Sequence, residues 1–182
     1  MNLHVCPWWL GYALSSPLRK LIHNPEKLLG EYVTTGNTVA DIGCGSGYFS
    51  LAMARMVGEQ GRVISVDLQE RMLEMVRRRA QRAGLQSRIR LHQCREDNLE
   101  INEPVDFALA FYMIHEVPNA QAFFDEILTI LKPNAHFLIA EPKIHVRASR
   151  FRNLVDMACK AGMKPLSEPK VRVSRAVLLG PC

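Results

Sequence analysis

Strand-like and helix-like runs alternate along the chain from residue 38 onward, and that alternation limits the fold more than any other feature of the sequence. Residues 38–42, 62–66, 88–92, 105–112 and 135–140 read as strands, interleaved with helical spacing over 48–57, 69–83, 119–131 and 149–162. Parallel strands joined through helices need those helices on the faces of the sheet, so the pattern predicts a mostly parallel sheet covered on both sides. The run from Phe107 to Ile114 is apolar throughout, as a central strand buried on both faces requires. Residues 163–173 and 174–179 follow with no helix between them, which pairs them antiparallel at one edge. Ser16-Pro17 and Asn24-Pro25 are N-cap–proline signals and predict short helices over 17–22 and 25–33. The expected organisation is a single domain over 1–182, with a helical lid segment over 1–37 and a core over 38–182.

Composition narrows the class. Hydrophobic residues make up 48% of the 182 and charged residues 23%, a globular balance that argues against disorder. No apolar run approaches the ~20 residues of a membrane-spanning helix, so no membrane association is expected. Lys and Arg total 23 against 18 Asp and Glu, a net +5, which suits an anionic partner without requiring nucleic acid. Five cysteines (Cys6, Cys44, Cys94, Cys159, Cys182) show no CxxC spacing, which counts against a disulfide framework or a thiolate zinc site, and no metal is expected. Residues 1–16 lack a basic start and are broken by Pro7 and Gly11, a poor signal peptide. A reducing cytoplasm is the expected compartment.

Asp41-Ile-Gly43-Cys-Gly45-Ser-Gly47 stands where the first strand turns into the first core helix. Glycines there let backbone amides approach a ligand closely, and the following helix points its positive end at it. The spacing is GxGxG, not the dinucleotide GxGxxG, because position 48 is tyrosine; no GxxxxGK[ST] loop exists. Asp67 closes the second strand, where a carboxylate can accept hydrogen bonds from a ribose. A structural turn followed by a helix-capping aspartate accounts less well for the two features occurring together.

Val39-Ala-Asp-Ile-Gly-Cys-Gly-Ser-Gly47 resembles the first motif of class I S-adenosylmethionine-dependent methyltransferases. Val63-Ile-Ser-Val-Asp67 resembles their second, and Ile130-Leu-Lys-Pro-Asn-Ala-His-Phe-Leu-Ile139 their fifth-strand signature. The resemblance runs from about Thr38 to Leu179. It implies a Rossmann-like α/β three-layer sandwich with seven strands, the last antiparallel, and S-adenosylmethionine as cofactor. It places the methionyl part against Gly43, Gly45 and Gly47, its ammonium near Asp41, the ribose on Asp67 and the adenine on Leu68. Family members often carry Gly-Asp-Ala after the third strand, whose Asp bonds the adenine amino group. Here Gln93-Cys94-Arg95 stand at that place, with the Arg95 backbone N–H as a donor and Glu96 and Asp97 as nearby acids. A weaker or rearranged adenine site follows.

Methyl transfer from a sulfonium is an in-line displacement in which the protein supplies orientation and desolvation. A base is needed only where the acceptor carries a proton. In this fold the end of the fourth strand, Phe111-Tyr-Met-Ile-His115-Glu116-Val117, faces the methyl group. Phe111 is therefore expected at the cofactor, and His115 either acts on the acceptor or caps its own loop. The segment lacks [DN]PP[FY], which counts against methylation of exocyclic base amines, and no acidic cluster suits a magnesium-dependent catechol type. Trp8, Trp9 and Tyr12 are candidates for an aromatic acceptor wall, or bury against the sheet or a second copy, since an exposed Trp-Trp pair would favour a homodimer. The arginines of 77–82 read as a solvated helix face. With the core sheet using most of the chain, a small-molecule acceptor is the leading expectation. An RNA or protein methyltransferase, or a non-catalytic regulatory module that binds the cofactor, are the alternatives.

Overall fold

The computed structural model describes residues 22–182; Trp8, Trp9, Tyr12 and nearly all of the helix expected over 17–22 lie outside them. Seven strands form one sheet in the order β3-β2-β1-β4-β5-β7-β6. β1 (Thr38–Ile42), β2 (Arg62–Asp67), β3 (Ile89–Gln93), β4 (Val105–Phe111) and β5 (Leu131–Pro142) run parallel. β7 (Ser174–Pro181) is antiparallel to both β5 and β6 (Met163–Ser167). This is the expected sandwich with an antiparallel strand near one edge.

Helices cover both faces. On one, α1 (Pro25–Leu29), α2 (Tyr48–Met56) and α3 (Glu70–Arg82) pack through Leu29, Phe49, Met53, Leu73 and Val76. On the other, α4 (Ala120–Ile130) and α5 (Ala148–Lys160) pack through Phe124, Ile127, Leu154 and Ala158. Burial of α3's apolar stripe, with charge outward, is what anchors a helix of this kind. Asn24 caps its helix as the Asn-Pro pattern implies, and Asn119 caps α4, their side-chain oxygens accepting from Lys27 N–H and Ala122 N–H, both at 3.2 Å.

Three boundaries differ from expectation. α1 ends at Leu29, and turns carry the chain to Val33. β6 stops at Ser167, leaving 168–173 as a connection. β5 begins at Leu131, directly after α4, instead of at 135. Its pairing jumps from Val105↔Leu131 to Phe107↔His136, so the residues around Pro133, which has no N–H for a ladder, bulge out of register. Lys132 Nζ reaches Asp106 from this bulge at 2.8 Å, and the same carboxylate accepts Thr38 N–H at 2.9 Å. Among the described residues no helix is long and apolar enough to cross a membrane.

Candidate functional site

The carboxyl ends of β1, β2, β3, β4 and β5 converge on one cavity of about 570 Å³, within the usual range for a small-molecule site. Its floor is the loop between β1 and α2. There Gly45 holds φ +53 and an added Cβ would meet no protein atom within 4 Å, so its backbone faces open space. Gly45 N–H donates to Asp67 Oδ2 at 2.8 Å and Gln69 N–H to Oδ1 at 2.9 Å. Burial pushes the Asp67 carboxyl above its usual range, and these two amides oppose that shift. Asp41 is buried and accepts the Ser50 hydroxyl.

The structure brings Asp41, Gly43, Gly45, Asp67, Leu68, Cys94, Arg95, Phe111 and His115 to this cavity. Gly47 is different. It is the left-handed N-cap of α2 (φ +80), and a Cβ there would lie 2.9 Å from Val76 Cγ2 and 3.0 Å from Leu51 Cδ1. It is absent from the lining, and close packing of α2 against α3 accounts for the glycine. The Arg95 amide also departs from expectation, since it donates to the Asn98 carbonyl at 2.9 Å. Cys94 lines the wall with its thiol pushed up to about 11, first by burial and then by Asp67, so it is a neutral group beside the acid.

Two features of the site lay beyond the sequence reading. Glu141, at the end of β5, is fully buried; its Oε1 accepts Ile114 N–H at 2.8 Å and its Oε2 meets His115 Nδ1 at 2.5 Å. Pairing of Phe111 with Ala140 is what sets this acid beside the loop that follows β4. An ionised carboxylate can only accept, so Nδ1 carries the proton and neutral His115 keeps its lone pair on Nε2. The hydrogen bond to Glu141 raises the His115 pKa; burial opposes this, and the charges of Glu141 and Glu116 add to it. The signal in the sequence was an acid directly after the apolar run 137–140. The second feature is Tyr112, held at φ +65 with its hydroxyl 2.6 Å from Ser174 Oγ. Its ring lies tilted against Phe111 at 4.4 Å, and Phe111 is itself 4.5 Å from the Phe49 ring.

Sheet order, glycine loop and acid at the end of β2 together match the Rossmann-like fold of the class I methyltransferases. A family model described as a methyltransferase domain matches residues 34–169, and the chain belongs to that family of S-adenosylmethionine-dependent class I methyltransferases. A demethylmenaquinone methyltransferase of Lactobacillus johnsonii is 30% identical over 110 residues, 60% of this chain and 45% of the relative. A ubiquinone biosynthesis O-methyltransferase of Xylella fastidiosa is 28% identical over 138 residues, 73% and 53% respectively. The chain thus spans about half the length of these relatives. A crystal structure of an S-adenosylmethionine-dependent methyltransferase from Aquifex aeolicus superposes with a TM-score of 0.87 at 25% identity, covering 98% of this chain and all of that one.

Proposed function

We propose that this chain binds S-adenosylmethionine in the cavity and moves its methyl group to a hydroxyl of a small molecule, with His115 receiving the hydroxyl proton. The observation that carries this reading is that the loop–Asp67 pocket and His115, itself held by buried Glu141, line one continuous cavity. The residues suit the cofactor. Open space over the Gly45 backbone accommodates a close ligand, Asp67 is a buried acceptor for a ribose diol, and Leu68 offers an apolar surface to a purine. Asp41 supplies a carboxylate for an ammonium group.

When bound, the cofactor supplies an electrophilic methyl carbon on a sulfonium. The protein's part is to position, desolvate and accept a proton. Phe111, with Phe49 and Tyr112 packed against it, would offer an aromatic wall to that positive charge. Glu141 fixes the imidazole by its Nδ1–H, which leaves Nε2 as the proton acceptor and stabilises the imidazolium that forms. The O-methyltransferase name of the Xylella relative supports an oxygen acceptor.

The test is methyl transfer from tritiated S-adenosylmethionine to simple phenols and catechols. Wild type should label them, whereas His115→Ala should lose turnover at unchanged cofactor affinity. Full activity in the variant removes the proton-accepting role; absence of cofactor binding by wild type removes the whole reading.

A further inference from the structure

We propose that the surface beside the cavity formed by residues 143–147 and 170–173 is a docking surface for an anionic lipid bilayer. Ile144 is 88% exposed and Val173 is 59% exposed, the two most exposed large apolar side chains among the described residues. They stand together: Lys143 N–H donates to the Val173 carbonyl at 3.1 Å, where β5 leaves the sheet and β7 enters it. Val173 is held at φ +55, a conformation a β-branched residue adopts rarely, so the fold maintains this tip against local strain.

The ground around the tip is basic. Lys143, Arg147, Lys170 and Arg172 are exposed, and Arg150 and Arg152 extend the charge along α5. Across residues 143–155 and 168–175 the sequence holds one acid, Glu168. Glu116 lies nearby but faces His115. An aliphatic tip ringed by Lys and Arg matches the interface of an anionic bilayer, where side chains insert among acyl chains and cations meet headgroups. Nucleic acid fits less well, because single-stranded recognition depends on exposed aromatic stacking platforms, and the exposed apolar groups here are aliphatic. Ile144 and His145 belong to the cavity rim, so docking in this orientation opens the cavity onto the lipid.

Vesicle co-sedimentation of the full chain tests this. It should sediment with vesicles containing phosphatidylglycerol and not with phosphatidylcholine alone, and added salt should release it. Lys143→Ala with Lys170→Ala should weaken partitioning roughly fivefold per charge removed. Ile144→Ser should weaken it about tenfold while keeping the salt dependence, and Val173→Gly, which suits the positive φ, should act in the same direction with an unchanged circular dichroism spectrum. The proposal fails if the wild type ignores anionic vesicles, if both apolar variants sediment like wild type, or if RNA binds and displaces it from vesicles regardless of Ile144.

Discussion

The glycine-loop side of the cavity is built mainly of backbone: Gly45 and Gln69 amides tied to Asp67 at the end of β2. The β4–β5 side is built of side chains, with His115 held by Glu141 from 26 residues further along. A backbone-built pocket depends on conformation and tolerates many side chains around it. A side-chain pair depends on two identities and on the strand register that joins them. The first arrangement suits a ligand that every member of a family shares, and the second can be altered without disturbing it, which is how one fold serves many acceptors.

The largest effect expected is from Asp67→Ala. It removes the acceptor for a ribose diol and leaves two part-buried amides without their partner, each omission worth about 1 kcal/mol. Cofactor affinity measured by calorimetry should fall at least ~100-fold with the chain still folded. Because burial raises the Asp67 pKa, wild-type affinity should also decline on acidification at a pH above the ordinary Asp range. An Asp67→Ala protein that binds normally would break the contrast at its stronger side.

Glu141→Gln probes the other side and comes next. Gln can keep the bond to Ile114 N–H but not the charge, so turnover should drop ~10²-fold while cofactor affinity stays within about twofold. With His115 as base, the rate rises as the imidazole loses its proton; removal of the carboxylate should move that limb to lower pH. The stability consequence has a fixed sign. His115 has a raised folded pKa, so its bond with Glu141 stabilises fully below the unfolded value and is lost as pH rises through the folded one. The Tm difference between wild type and variant should therefore be larger near about pH 5.5 than near about pH 9. A purely structural Glu141 would lower Tm without moving the rate profile.

The same contrast explains what could be read before the structure. The loop, the acid closing β2 and the strand–helix alternation are local in sequence, and each reports backbone geometry directly. Glu141 is not local: it matters only once β4 and β5 are neighbours in a given register, and that register contains a bulge. The N–H of Arg95 looks available in the sequence because its partner, the Asn98 carbonyl, appears only in the folded turn. The helical spacing over 119–131 was legible, but not that a strand would begin at Leu131.

Gly47 separates two reasons for a glycine that sequence alone merges. At φ +80 and with Val76 and Leu51 occupying the space an added Cβ would need, Gly47→Ala should destabilise by ~1–3 kcal/mol, a Tm loss of about 4–10 °C. Cofactor affinity in the folded fraction should change little, since Gly47 does not line the cavity. A variant of normal Tm that has lost cofactor would return this glycine to the ligand.

The smallest effect tests whether the loop is also held from outside. Arg77 and Arg78 pair with Glu74 on the exposed face of α3, as a solvated helix face would. Arg79 instead reaches Ser46, its guanidinium 2.7 Å from the carbonyl and 3.2 Å from Oγ, and burial lowers its pKa. A charge-assisted bond to a loop carbonyl is worth about 1.5 kcal/mol, so Arg79→Met should raise the cofactor Kd up to about tenfold with kcat unchanged. Arg77→Met and Arg78→Met, which give up only exposed pairs, should leave Kd within about twofold. Equal behaviour of all three variants would mean that the glycines and the Gly45–Asp67 bond hold the loop by themselves, and that the backbone side of the cavity needs no side chain beyond its own acid.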